Sequence, residues 1–378
     1  MTAVALPRLA AADTMDPALE RLVAGINKGT GLAPCQARSP SGGVVYNPAS
    51  GFNRCLPDNV AFADLVAQYG YALAPTAMHS ARTTGYGGFE LAIEGDYTTI
   101  DSSADYWKRG TQGPLDPTTK KFSIDNPNPP GILQDYSIKI RKGFPFGLEI
   151  TGNVGYVAQT NLVFGGADVR MSLFEGFRTG IPAIFPEVAV GGSVRTATGT
   201  SEMQLTVAGF DAEISKPIPL GGTVVITPYA GYQWIRIFGD SGLIDFTPNT
   251  DAVNFCGYAG NNTPATPDKS KAGADGQPTC RGGNSADFNN VGVFNAVRLT
   301  RHRIMVGGQI RFQMVKIGLH ADIEPISPED ANKGVMVTDN NQRNPDGSAK
   351  QVQAFSKTPF EPAVSNQLTL AFDIGAEF

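Results

Sequence analysis

From Gly85 to Phe378 apolar residues recur at every second position, segment after segment, and the residues between them carry most of the charge. In "FELAIEGDY", Phe89, Leu91, Ile93 and Tyr97 oppose Glu90, Glu94 and Asp96. In "YSIKIRKGF", Tyr136, Ile138 and Ile140 oppose Ser137, Lys139 and Arg141; in "LEITGNVGYV", Leu148, Ile150, Val154 and Tyr156 oppose Glu149, Thr151 and Asn153. A period of two is that of a β-strand with one apolar and one polar face. "DVRMSLF", "PEVAVGGSV", "GFDAEIS", "TVVITPYAGYQWI", "RIMVGGQIRF", "IGLHADIE" and "QLTLAFDIGAEF" repeat the pattern, so about ten strands are expected. Whatever fold forms must shelter all of their apolar faces at once.

A soluble sandwich turns those faces inward, and its connections vary in length at both ends. Here every second connection is tight: "KGFPFG", "EGFRTGIP", "SKPIPLGG" and "QMVK". Residues 101–130, 239–290 and 325–365 form long polar connections, and the shorter ones near 159–166 and 196–204 fall at the same end. The faces are also lopsided. Glu94, Lys139, Arg141, Glu149, Asp168, Arg170, Asp211, Glu213, Arg311, Asp322 and Asp373, together with His320, share one side, and the opposite side is free of charge. Rings mark the strand ends: Phe144, Phe146, Phe177, Phe312 and Phe378 beside the short turns, Tyr97, Tyr136, Tyr156, Trp234 and Phe238 toward the long loops. Two aromatic belts flanking a charge-free band are what the two interfaces of a bilayer select. In hydrocarbon a sheet must close on itself and keep no edge. The expected fold is therefore all-β: a transmembrane antiparallel barrel of about 10 strands, with loops long on one side and short on the other.

Composition agrees. Gly at 44, Pro at 27 and 41% hydrophobic residues describe a β-rich chain. A net charge of -5 supplies no basic field for nucleic acid, and only 3 His argue against metal clusters. The longest apolar-leaning run, "PIPLGGTVVITPYAGYQWI", is broken by a Gly pair and an internal Pro, so no membrane helix is expected. "MTAVALPRLAAADTMD" lacks a basic start and is interrupted by Pro7 and Arg8; it does not read as a secretory signal, and an exported chain would be a mature form or lack its true beginning.

Residues 1–84 differ from the rest. "MDPALERLVAGINKG" places Asp16 as a candidate N-cap, Pro17 at the first helical position and an apolar stripe at Leu19, Leu22, Val23 and Ile26. "PDNVAFADLVAQYGYALAP" offers Asp58 or Asn59 as a cap and Phe62, Leu65, Val66 and Tyr69 on one face. Two short amphipathic helices are expected, in a segment that either lies in the periplasm or plugs the lumen of the barrel spanning residues 85–378. Four cysteines allow three connectivities; proximity favours Cys35 with Cys55 and Cys256 with Cys280, two structural disulfides that require an oxidising compartment. Cys-x-x-Cys spacing, the mark of zinc, is absent.

The final alternating strand and its terminal Phe378 resemble the C-terminal signature of bacterial outer-membrane β-barrel proteins, across roughly residues 85–378. The resemblance is to the class and singles out no family. It implies the outer membrane of a Gram-negative bacterium, surroundings of lipid and lipopolysaccharide, and Phe378 as the signal read by the barrel assembly machinery.

Function is less legible. Side chains just fill a barrel of eight strands, so about ten leave a narrow lumen. The reading adopted is a non-enzymatic structural or interaction subunit of the envelope with a closed lumen, meeting other envelope proteins through the N-terminal segment or the long loops, with no cofactor and no metal. The first alternative is a narrow porin or solute transporter. The second is a surface hydrolase: omptin-family barrels combine Asp and His residues near the outer rim, and His320, Asp322, Asp101 and Asp105 offer similar groups, though their order and spacing do not match that family's motifs. "VYNPASGF" is similar to an Asn-Pro-Ala element of long-chain fatty-acid transporters, but Asn47 and Pro48 fall inside a disulfide loop and read as a turn. "DNNQRNPDG" and the loop around Asp245 and Asp251 lack the acidic spacing of a calcium loop. One irregularity stands out: Val297 and Leu299 have one parity and Ile304, Val306, Ile310 and Phe312 the other, as if a bulge lay near His302 or the preceding segment projected beyond the membrane.

Overall fold

The alternating segments pair antiparallel in chain order, and the last returns to the first. Ten long strands close the ring: β1 (Phe89–Thr99), β2 (Ile132–Gly143), β3 (Leu148–Val157), β4 (Val163–Ser172), β5 (Glu187–Thr198), β6 (Met203–Ser215), β7 (Val224–Ser241), β8 (Val297–Phe312), β9 (Val315–Ile323) and β10 (Leu368–Glu377). Closure runs from Thr369 opposite Thr98 to Glu377 opposite Glu90. Phe378 then exchanges two backbone hydrogen bonds with Phe89, at 2.7 and 3.0 Å. A three-residue strand, Ile218–Leu220, pairs beside the start of β7. The computed structural model describes residues 13–25, 30, 32–39, 44–47, 54–76, 79–115, 125–174, 185–253, 255–257, 279–281, 283–328, 336–343, 345–353 and 364–378.

The barrel is inside-out relative to a soluble protein. Ile93 and Leu319 are 59% and 64% exposed, whereas Glu94 and Lys316 are each 1% exposed. On β1–β6, β9 and β10 the outward face carries a single charge, Lys142, beside a turn. β7 and β8 are longer, with Arg236, Asp240 and Arg298 outward only past Trp234 toward the loops. Tyr97, Tyr136 and Tyr156 form a run of neighbouring rings on the outer wall, with centroids 6.2 and 5.7 Å apart, while Phe144, Phe146, Phe312 and Phe378 ring the turn end. A closed sheet with such a wall belongs in hydrocarbon, where an edge or an outward charge would be costly. The β4–β5 connection, residues 173–186, is longer than the tight turn expected; residues 175–184, Phe177 among them, lie outside the described residues.

The chain divides into two compact units. The first contains the barrel, residues up to Ala18 and residues Asn59–Gly242 and Asn295–Phe378. Within it, α1 (Asn59–Ala72) is the second of the expected helices, but it is buried all round rather than on one face. A further helix, α2 (Asp105–Gly110), lies in the β1–β2 connection, and Met336–Arg343 pairs with Ala349–Gln353 in the β9–β10 connection.

The second unit combines Leu19–Asp58 with Leu243–Phe294. The first expected helix does not form there: Leu19–Arg21 is a 3-10 turn, after which the chain pairs sideways with residues 56–58, Ala24 N–H donating to Leu56 O and Asp58 N–H to Leu22 O. Leu19, Leu22 and Val23 are fully buried in that arrangement, so packing overrides the helical spacing. Strands Gln36–Arg38 and Val44–Tyr46 pair, and Cys35 is bonded to Cys55. Gln36 Nε2 donates to Phe246 O at 2.9 Å, and the Cys55 N–H donates to Asn290 Oδ1 at 2.8 Å, so the early segment and the β7–β8 loop fold as one module. Cys256 and Cys280 lie opposite one another in a backbone pairing; their side chains are outside the described residues.

Candidate functional site

The lumen is occupied by the chain that precedes β1. At the loop end sits α1, covered by α2 and by residues 13–18: the Tyr69 hydroxyl donates to Met15 O at 2.7 Å, the Tyr69 and Trp107 rings lie 4.8 Å apart, and Trp107 Nε1 donates to Gln68. Asp16 clamps this cover to the β3–β4 loop by accepting from Asn161 N–H at 2.6 Å. Burial pushes the Asp16 carboxyl above its ordinary pKa, opposed by the N–H donors of Asn161 and Asp13.

Beyond α1 the described residues of the chain lead without regular secondary structure through the barrel to the turn end. Arg303 donates to Tyr71 O at 2.5 Å, Gln233 to Pro75 O at 3.0 Å, and Lys139 to Thr76 O at 3.2 Å. Farther down, Ala81 N–H meets Ser215 Oγ at 3.1 Å and Thr84 N–H meets Glu149 Oε2 at 2.9 Å. Gly88 O finally accepts from Gly143 N–H at 3.1 Å beside the first turn, and β1 begins. These contacts come from β2, β3, β6, β7 and β8, so the thread is held by half of the strands of the wall.

The wall itself is ionic. Arg141 bridges Glu90 and Glu149, both at 2.6 Å, and Lys316 bridges Glu90 and Asp373 at 2.6 and 2.8 Å. Lys139 pairs with Glu94 at 2.5 Å, and Arg170 with Glu213 and Asp211 at 2.6 and 2.9 Å. Arg195 stacks over Phe164 at 4.6 Å, with Asp135 and Asp96 3.8 and 4.0 Å from its Nη1. Toward the loops Arg301 pairs with Glu324 at 2.5 Å and Arg303 with Asp322 at 2.7 Å. Side by side, the two guanidinium groups lie 4.5 and 4.6 Å from the Tyr71 ring.

All twelve residues expected to face the lumen, from Glu94 to Asp373, lie on the inner side; Asp168 and Arg311 are half-buried and the other ten buried. Glu90 and Asp96, already read on the polar side of the first strand, join them, as do Asp135, Glu187, Arg195 and Lys316, which the same parity would have found had it been carried along the other strands. Arg301 and Arg303 were hidden by the parity break. No bulge exists there: β8 pairs with β7 without interruption from Val297 to Phe312. Val297 and Leu299 face inward because the helical plug, not water, fills that level of the lumen.

The groups expected of a hydrolase are not assembled at a rim. His320 is buried, with Nε2 hydrogen-bonded to Asp322 Oδ1 at 2.6 Å and Nδ1 to the Tyr229 hydroxyl at 3.2 Å. Asp101 and Asp105 lie apart, in the loop-end turn and at the start of α2, with Asp101 accepting from Ser103. Asp245 and Asp346 accept from nearby Thr247 and Ser348 as turn residues do. Among the described residues no three His, Cys, Asp or Glu side chains are placed to hold a metal ion. At the turn end a cavity of about 120 Å³ remains between Ser80–Gly85 and the inner side of β7 and β8, bordered by Arg82, Arg311, Gln309 and Glu377.

No protein-family model matches this sequence, and no curated protein does. Among solved structures, the attachment invasion locus protein Ail of Yersinia pestis aligns over 78% of this chain and 99% of its own, with 8% identity and a TM-score of 0.22 in its complex with the heparin analogue sucrose octasulfate and 0.23 without it. OccK11 (OpdR) of Pseudomonas aeruginosa aligns over 80% of this chain and 99% of its own, at 10% identity and a TM-score of 0.13. At such scores the superpositions carry no argument, and the architecture rests on the strand pairing described above.

Proposed function

We propose that the protein is an outer-membrane β-barrel whose lumen is kept shut by its own residues 59–88, and that it serves the envelope as a non-enzymatic structural or interaction subunit. The observation that carries this reading is the thread. Its backbone groups are bound one after another by wall residues, of which Arg303, Lys139 and Glu149 are themselves locked in buried ion pairs. A solute path needs water-lined space from end to end, and the packing of α1 at the loop end, with the thread bound to the wall below it, argues against one. The uncharged outer wall, the aromatic belts and the loop asymmetry support an outer-membrane location with the long loops facing outward, surrounded by phospholipid and lipopolysaccharide. With both His320 nitrogens engaged, nothing at that residue favours hydrolysis. Contacts with other envelope proteins would fall to the module built from Leu19–Asp58 and Leu243–Phe294.

Planar-bilayer recording tests the seal. The intact protein is expected to show no steady single-channel current, and a chain lacking residues 59–88 to conduct. Stable conductance by the intact protein would establish the narrow-porin alternative instead. Should the shortened chain fail to fold, Thr76→Cys with Lys139→Cys in the full chain offers a second route: locking the thread must leave the trace flat, whereas a current that survives the lock contradicts the proposal.

A further inference from the structure

An even number of strands ordinarily leaves both ends of a barrel on the same side of the membrane. This chain crosses once more. α1 lies among residues of the loop end: a Cβ added at Gly70 would lie 2.4 Å from Ile237 Cγ2, and one added at Gly239 would lie 2.4 Å from Val66 Cγ1. Residues 13–18 are there too, with Met15 N–H donating to Gln159 O at 2.9 Å in the β3–β4 loop and Ala18 N–H to Gly110 O at 2.9 Å in the β1–β2 connection. Yet Gly88 and Phe89 lie at the turn end, beside Gly143 and Phe378. Between them Ala74, Pro75, Thr76, Ala81 and Thr84 contact successively lower residues of the wall. The thread is thus an eleventh passage added to the ten strands.

We infer that residues 13–18 and α1 lie at the same side of the membrane as the long loops, the chain crossing to β1 inside its own barrel. Ala18 and Asn59, which bracket the disulfide-bonded stretch, are both residues of the barrel unit's loop end. The β7–β8 excursion leaves β7 after Ser241 and rejoins β8 at Val297, also at that end. The two halves of the second unit therefore set out from the same side, which lets them share the hydrogen bonds that join them. A chain with a periplasmic N-terminal segment could not build that module. The inference rests on the membrane-barrel reading but not on which end faces outward. It also orders assembly: the thread must lie in the lumen before β10 zips to β1, because the covered α1 and the Cys35–Cys55 loop could not follow through a wall already closed around ion pairs.

The experiment places an epitope, one at a time, in the connection at residues 39–43, in the hairpin turn at 344–348 and between Gly221 and Gly222 at the turn end, each chain checked for heat-modifiable migration. Antibody binding to intact cells is compared with binding after permeabilisation. The expected result is that the first two epitopes report together and the third reports oppositely. Were the first to side with the third, the inference would be overturned while the barrel reading stood. Binding of the third alone on intact cells would reverse the assigned orientation and leave the shared side intact, and silence of all three until permeabilisation would sink both. If an inserted epitope prevents folding, trypsin added to intact cells expressing the unaltered protein supplies the readout: cleavage after exposed Arg38 without cleavage after Lys216 is expected, the reverse pattern inverts only the orientation, and cleavage after both contradicts the inference.

Discussion

The two ends of the lumen are sealed by different physics. At the loop end β6, β7 and the start of β8 line one side of α1 with apolar residues, Leu205, Val207, Ile235, Ile237, Val297 and Leu299, all buried, while Arg301 donates to the Ala67 carbonyl. Nearer the turns the inner wall is built from Glu90, Glu94, Lys139, Arg141, Glu149, Lys316 and Asp373. The difference follows from what each wall has to satisfy. A helix binds its own amides and carbonyls, so its surroundings can be hydrocarbon except at its last turn. That exception is visible, since Arg303 meets the carbonyl of Tyr71, where a cation also opposes the helix dipole. An extended chain binds none of its own groups, so its wall must present donors and acceptors in the right order. Polar lining around the thread and apolar lining along one side of α1 are the imprint of the conformation of the plug.

The largest loss is expected where the two regimes meet. Arg303→Met leaves Asp322 charged and without its guanidinium partner and uncovers the Tyr71 carbonyl, a cost of about 3–5 kcal/mol. Reversible denaturation in detergent or vesicles measures it, and a loss below about 1 kcal/mol would mean that Arg303 does not hold the junction. Outside the barrel, Ile138→Lys is expected to cost about 2–4 kcal/mol if that face meets the lipid midplane, against little for a charge at Thr99 beside the loops; equal costs would show that the faces are assigned wrongly. Next comes shape at the helical level. Gly70→Leu overfills the contact with Ile237 and should cost about 1–3 kcal/mol. Combined with Ile237→Ala, part of that loss should return, a coupling that a double-mutant cycle resolves. No equivalent coupling is expected between Gly70 and Lys139, which belongs to the ionic level.

This division explains how much could be read beforehand. Strand positions, closure and the loop asymmetry were legible because burial in lipid enforces alternation on every outward residue from Leu91 to Ile374. The inner face obeys no such single rule. Its residues answer to whatever fills the lumen, and the apolar pair Val297 and Leu299 looked like a register error because α1 comes from more than 200 residues earlier in the chain. The helix itself was foreseen from Phe62, Leu65, Val66 and Tyr69, but its burial on all sides was not, since Asp64 and Gln68 appear in sequence as a solvent face. In the protein Gln68 serves Trp107 and the Asp101 amide. The threading was illegible for a simpler reason: residues 73–88 have neither helical nor strand periodicity, and the partners of their backbone groups are scattered over five strands.

The smallest expected effect separates the barrel from the second unit. The Cys35–Cys55 bond closes a stretch with a sequence separation of 20 that hydrogen-bonds to Phe246 and Asn290, within the second unit throughout. Chain-entropy reasoning assigns such a bond about 3 kcal/mol, but only to the cooperative unit containing it. Strand closure and the ion pairs of the lumen involve none of these residues. Reduction, or Cys35→Ser with Cys55→Ser, should therefore increase protease cleavage and amide exchange within Leu19–Asp58 while the midpoint for loss of heat-modifiable migration stays within about 0.5 kcal/mol of its original value. A large shift in that midpoint would mean that the module and the barrel unfold as one, and the plug would then draw part of its hold from the covalent bond rather than from the wall alone.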